Sequence, residues 1–241
     1  MSAKERLAKN NILEKHTNVA SPGLKGKVRS VAELTYEISV DQGKEQKKLV
    51  SHEIAFYNVR GNDTGNIAYD KDGKIERKGI IMFDANDNDT ASISFDPAGK
   101  MLYRYVCRYN ARGNNMESSI YDAQGKQRNK QTHKFDDNDN LTELAFYSDN
   151  GTLRDRWAYT YDARGFVKTG QTFDSTGKPT TKHTRKYNDN GNNLESVRYK
   201  ANGHIDHRHV DEYDSKGHEI TSAEYNANGS MILKTAMKYD L

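Results

Sequence analysis

Residues 109–135, YNARGNNMESSIYDAQGKQRNKQTHKF, decide the fold. Twice in this stretch an aromatic residue is followed by Asp or Asn, two variable residues and Gly, at Tyr109 to Gly113 and at Tyr121 to Gly125. Working outward, the aromatic recurs at Tyr57, Tyr69, Phe83 and Phe95 on one side. On the other it recurs at Phe135, Tyr147, Tyr161, Phe173, Tyr187, Tyr199, Tyr213, Tyr225 and Tyr239, with spacings that alternate strictly between 12 and 14. The unit is therefore 26 residues, present seven times, and a fixed period of this length marks a repeat array.

Each pentad has the chemistry of a hairpin turn. The Asp or Asn side chain can accept from backbone N–H groups ahead of it, and the Gly supplies the positive φ of a bulge after a type I turn. Where Gly is missing the residue is Asp87 or Asp139, and Asp is among the few residues that tolerate left-handed backbone. Segments of about 8 and 10 residues lie between turns, too short for typical helices, and Pro97 and Pro179 fall at or beside turns. The expected fold is all-β: an extended antiparallel β-meander of hairpin repeats, forming a coiled single sheet or open β-solenoid. Residues 57–241 form the array. Residues 25–56 form a capping hairpin, with strands over 27–40 and 44–57, which shields the first sheet edge. Residues 1–24 are a tail or a short capping helix, since Ser2 with Glu5 makes a capping box and Leu7, Ile12 and Leu13 a partial stripe.

Hydrophobic residues make up 34% of the chain and aromatics 10%, which implies a thin sheet without a deep core. A net charge of +3 is close to balance, and no helix, zinc finger or stacking platform accompanies it, so nucleic acid is not an expected partner. Cys107 alone cannot form an internal disulfide. No apolar run reaches the length of a signal peptide or membrane span, so the chain reads as cytoplasmic as encoded, or extracytoplasmic if a leader was removed. His204, His207 and His209 cluster without a further cysteine or histidine pair, so no metal or cofactor is expected. No nucleophile elbow or phosphate-binding loop appears, and Asx bonding accounts for the paired carboxylates at turns. The chain does not read as an enzyme.

With Tyr109 numbered as position 1 of the unit, position 1 faces 7 across one turn and 13 faces 19 across the other. Side-chain alternation then assigns the odd positions to one face. That face carries both aromatic ladders, the apolar positions 11 and 19, and mid-strand slots 21, 23 and 25. The even face carries position 22, basic in every copy: Lys78, Arg104, Lys130, Arg156, Lys182, Arg208 and Lys234. These side chains either cover a solvated face against aggregation or form a ladder for an anionic surface. Slots 21, 23 and 25 hold Tyr103, Tyr105 and Cys107 in one copy, Asp155, Trp157 and Tyr159 in another, and His207, His209 and Asp211 in a third. The repeat does not dictate these residues, and Tyr and Trp are the composition of a protein-binding hot spot. Tyr103, Tyr105, Trp157 and Tyr159 are therefore the partner-binding candidates, with local filling of the face as the alternative. In this register His209 lies opposite Glu195.

The recurring YDARG, YDAQG and YDSKG turns resemble the tyrosine-aspartate (YD, or RHS-type) repeats of bacterial proteins, over residues 57–240. A looser likeness is to the MORN-like hairpin-repeat antitoxin proteins, whose Gly spacing is not reproduced. The YD resemblance implies long β-sheets that spiral into shells, often around a toxin, and in some members a role at the cell surface. The chain departs from that pattern in its strict alternation, its shortness and its lack of a visible toxin or self-cleavage region. Together these readings give a non-enzymatic scaffold that engages a protein partner, with a toxin that it neutralises as the candidate. The alternative is an envelope or surface module for glycan or anionic polymer.

Overall fold

The computed structural model describes residues 28–41 and 44–239; the segment read as a tail or capping helix lies outside them. The turns form as their chemistry dictates. In the pentad that opens at Tyr109, Asn110 Oδ1 accepts from the N–H groups of Arg112 and Asn114, both at 2.9 Å. The Gly113 N–H donates to Asn110 O at 3.0 Å, and Gly113 has φ 77°. Asp87 and Asp139, the two replacements for Gly, have φ 62° and 61° and are the non-glycine described residues with positive φ.

Sixteen antiparallel strands, β1 to β16, follow in chain order in one open sheet. By contact density the described residues group into two compact units, residues 28–130 and 131–239. The first begins with β1 (Ser30–Asp41) and β2 (Lys44–Tyr57), followed by β3 (Asp63–Tyr69), β4 (Ile75–Phe83), β5 (Asp89–Phe95), β6 (Met101–Tyr109), β7 (Asn115–Asp122) and the start of β8 (Gln127–Phe135). The second continues with β9 (Leu141–Tyr147), β10 (Leu153–Tyr161), β11 (Val167–Asp174), β12 (Pro179–Tyr187), β13 (Asn193–Tyr199), β14 (Ile205–Tyr213), β15 (Glu219–Asn226) and β16 (Met231–Ala236). Among the described residues no helix is long and apolar enough to cross a membrane.

Position 1 pairs with 7 and position 13 with 19, as in Tyr109↔Asn115 and Phe95↔Met101. One step further the register shifts: Arg108 pairs with Glu117 and Ser94 with Tyr103, leaving Met116 and Leu102 unopposed. The shift recurs beside the other array turns, as at Tyr57, Tyr161 and Tyr225. This second bulge overturns the expected division into odd and even faces. An extra residue at the start of a strand reverses the parity of everything after it. One face therefore carries positions 21, 23, 25 and 1 of the longer strands with 10 and 12 of the shorter ones. The other carries 22, 24 and 26 with 9, 11 and 13. The two aromatic ladders lie on opposite faces, and the basic position 22 shares its face with the aromatic position 13. Thr64, Thr90 and Thr142 occupy the unopposed position, and each hydroxyl donates to the carbonyl of position 26 across the bulge at 3.1–3.2 Å.

Both faces contribute to a thin core. Among the described residues the buried apolar side chains are Cys107 and Leu144 on the first face, Ala145, Val197 and Ala223 on the second, and Leu141 and Val167 at position 7 beside the turns. Packing is tightest along the edge formed by the position-1 turns. There Tyr161 donates to Leu141 O at 2.6 Å and Tyr187 to Val167 O at 3.0 Å, each reaching back 20 residues to the preceding unit. Each such bond contributes about 0.5–1.5 kcal/mol. Successive turns on this edge also touch: Asn62 and Arg60 both donate to Asp87, and Phe166 stacks on Tyr187 with centroids 5.0 Å apart. On the opposite edge a Cβ added at Gly73, Gly99, Gly125, Gly151, Gly177, Gly203 or Gly229 would meet nothing within 4 Å.

Candidate functional site

On the second face, position 22 does not stand as a row of unpaired cations. Lys130 lies 2.6 Å from Glu117, Arg156 2.9 Å from Glu143 and Arg208 2.5 Å from Glu195. Each glutamate occupies position 9 and takes a second cation from position 26, respectively Arg108 at 3.7 Å, Lys134 at 2.9 Å and Lys186 at 2.5 Å. Burial works to raise the Glu143 carboxyl, but Lys134 and Arg156 outweigh it and hold it below the ordinary glutamate range. The Lys186 ammonium, with Arg208 behind it, does the same for Glu195. Three arginines of the ladder also lie over the next aromatic at position 13: Arg104 on Tyr121 at 4.9 Å, Arg156 on Phe173 at 4.0 Å and Arg208 on Tyr225 at 5.2 Å. Such contacts contribute about 0.5–1 kcal/mol each at exposed sites. In the units of Lys78, Lys182 and Lys234, position 9 holds Gly65, Thr169 and Thr221 and supplies no carboxylate. Much of the basic ladder thus holds the sheet face together. Its pairing was missed because the second bulge alone brings positions 9 and 22 to the same face, although the recurring separation of 13 residues is visible in the sequence.

The four aromatic candidates occupy the first face, Tyr103 and Tyr105 in one unit, Trp157 and Tyr159 in the other. Tyr103 and Trp157 stand out from the sheet, 46% and 42% exposed. Tyr105 and Tyr159 are half-buried, and burial pushes each phenol up to about 12. Trp157 makes edge contacts with Phe146, centroids 6.4 Å apart, and with Tyr159 at 6.5 Å. Opposite Tyr159 on β11 is Gly170, where an added Cβ would lie 3.5 Å from the ring atoms Cδ1 and Cε1. The Tyr159 ring thus lies against the Gly170 strand at ordinary contact distance. Phe146 and Gly170 were not singled out from sequence, because their relation to Trp157 and Tyr159 depends on the shifted register.

From Gly170 the same face continues into imidazole and guanidinium side chains. Gly170 pairs with His183, His183 with Arg198 and Arg198 with His207, on successive strands β11 to β14. Burial, then Arg198, Arg185 and His207, push the His183 imidazole below its ordinary value. Asp206 is the carboxylate among them, 3.4 Å from Arg198 and 3.8 Å from His207. His209 sits opposite Ser196, one residue from the expected Glu195, for the same parity reason. Its Nε2 lies 2.7 Å from Asp211 and 3.2 Å from the Ser222 hydroxyl. Among the described residues no group of three or more His, Cys, Asp or Glu side chains is placed to hold a metal ion.

No protein-family model matches the chain, and no curated protein matches it in sequence. Among solved structures it is similar to a porin-like protein from Bacteroides uniformis, with 12% identity and a TM-score of 0.40 over 85% of this chain and 92% of that one. It is also similar to the Tc holotoxin pore of Photorhabdus luminescens, with 10% identity and a TM-score of 0.35 over 86% of this chain. The match spans 14% of the toxin chain. A third likeness, to TarM of S. aureus, has 17% identity and a TM-score of 0.23, covering 53% of this chain and 21% of that one. Likenesses this distant say nothing about what the chain does.

Proposed function

We propose that the protein is a non-enzymatic scaffold that binds a protein partner on the first face of its sheet, at the strip of Phe146, Trp157 and Tyr159. A toxin that it neutralises is the candidate partner class, in keeping with the looser likeness to MORN-like hairpin-repeat antitoxin proteins. The reading is carried by Trp157. A repeat that fixes aromatics only beside its turns places a large, half-exposed indole at mid-strand, braced on both sides by rings. Rigid aromatics of this kind are the usual anchors of protein interfaces. The alternative, a glycan or anionic polymer read by the basic ladder, has less support, because Glu117, Glu143 and Glu195 already neutralise Lys130, Arg156 and Arg208.

The test uses the tagged chain and a lysate of the cell that makes it. A partner retained by the parent and by Lys182→Gln, and lost by Trp157→Ala with unchanged circular dichroism, supports the reading. Retention of the same partner by Trp157→Ala overturns it. Trp157 is the one tryptophan in the chain, so its fluorescence also reports binding directly.

A further inference from the structure

We propose that the strip continues from Tyr159 into a seat for an extended acidic segment of the partner, formed by His183, Arg185, Arg198 and His207 beside the aromatic anchor. The inference rests on the function proposed above and names the chemistry of the partner. Its basis is a single rung of cross-strand neighbours: Tyr159, Gly170, His183, Arg198 and His207 lie opposite one another on β10, β11, β12, β13 and β14. At the spacing of strands in a sheet, the rung is about 19 Å long, the reach of a short extended peptide. One end is aromatic, with Trp157 beside Tyr159. The other end is basic: the fixed charges of Arg185 and Arg198 stand against the carboxylate of Asp206, and the imidazoles of His183 and His207 flank them.

Arg185, two residues along β12 from His183, makes no ion pair among the described residues, and its charge acts on both Tyr159 and His183. The second face offers a direct contrast. There a glutamate at position 9 meets its cations repeatedly, so the fold readily supplies a counter-charge where one serves stability. Beside the rung the exposed Arg185 guanidinium is left without a counter-charge among the described residues, and carboxylates from elsewhere complement it. The Tyr159 ring lies against Gly170, which pairs with His183, so the aromatic and basic ends adjoin and an extended chain can lie across both.

The probe is a synthetic peptide of alternating glutamate and serine with a central tyrosine, compared with its glutamine-for-glutamate counterpart, and the signal is Trp157 emission. The acidic peptide should shift the emission and the neutral one should not. Arg185→Gln should weaken binding by about fivefold, the effect of losing one exposed ion pair. Adding Arg198→Gln should weaken it by about twenty-fivefold if the two act independently. Lys182→Gln, on the same strand and the opposite face, should leave binding unchanged. Arg198 touches Asp206, so the double variant requires an unchanged strand spectrum; Arg185→Gln carries the test if that variant fails to fold. Equal binding of the neutral peptide, or no effect of Arg185→Gln, overturns the inference. Polyphosphate that displaces the peptide and binds Trp157→Ala as well as the parent also overturns it, in favour of an anionic polymer. Loss of the native partner on Trp157→Ala without any binding of the acidic peptide leaves the proposed scaffold standing and removes only the acidic segment.

Discussion

Replacing Gly191 by alanine should destabilise the array far more than the same change at Gly177, although both glycines follow a turn and share almost the same backbone, φ 83° and 82°. Any L-residue there costs about 1–2 kcal/mol from the clash between Cβ and the carbonyl oxygen. At Gly177 nothing lies within 4 Å of the added Cβ, so this is the whole effect. At Gly191 the Cβ meets Phe166 Cζ at 2.5 Å and the two Cε atoms at 3.2 Å. The ring cannot simply swing away, because it is stacked on Tyr187 and lies under the Arg164 guanidinium, 5.1 Å from its centroid. Overpacking of this kind adds about 1–3 kcal/mol, giving about 2–5 kcal/mol in total. The turn position of Phe166 is Asn in most other copies, and a Cβ at Gly113 would meet Asn88 at an ordinary 3.5 Å. The double variant Phe166→Asn with Gly191→Ala should therefore recover the excess over Gly177→Ala. Urea midpoints followed by circular dichroism measure the differences, and hydrogen exchange at the two turns locates them, since a repeat array need not unfold in one step. Equal destabilisation by the two alanines, within about 0.5 kcal/mol, or no rescue by Phe166→Asn, would refute tight stacking along the position-1 edge.

Glu195→Gln should lengthen retention on a heparin-type resin, by releasing Lys186 and Arg208, and lower stability by about 1 kcal/mol; unchanged retention would mean that these cations were already available. In the acid range, the Thr176 hydroxyl and then the N–H groups of Lys178 and Thr176 hold the Asp174 carboxyl below its ordinary 3.8. Its contribution to stability is present above that value and is lost as pH falls through the folded-state value. Asp174→Asn, which keeps the Asx acceptor used natively at Asn110, Asn188 and Asn226, should flatten the acid limb of a stability profile. In the alkaline range, burial raises the Tyr159 phenol from 10 to about 12, so its contribution is present below pH 10 and lost as pH rises to about 12. Tyr159→Phe should remove that loss, read as unfolding midpoints across the same window; an unaltered profile would place the phenol in contact with water.

The pentads determined most of this fold by themselves. Turn formation is local: an Asx acceptor, two residues and a glycine reverse the chain wherever they occur, and Asp87 and Asp139 adopt the left-handed backbone that their substitution for Gly requires. Strand order followed, because consecutive segments joined by tight turns must pair with their neighbours. The faces could not be read the same way. One unopposed residue after each turn, Thr64 or Met116 for example, reverses side-chain parity, and whether it bulges depends on the partner strand. That residue moved position 22 from a separate polar face onto Glu143, Glu195 and the position-13 rings. It also aligned Tyr159 with His183, Arg198 and His207, residues separated by tens of positions in sequence that meet only through accumulated cross-strand register. The sequence alone therefore settled where the chain turns, since that depends on atoms a few residues apart. Only the tertiary structure decided which side chains share a surface, since that depends on pairings summed across many strands.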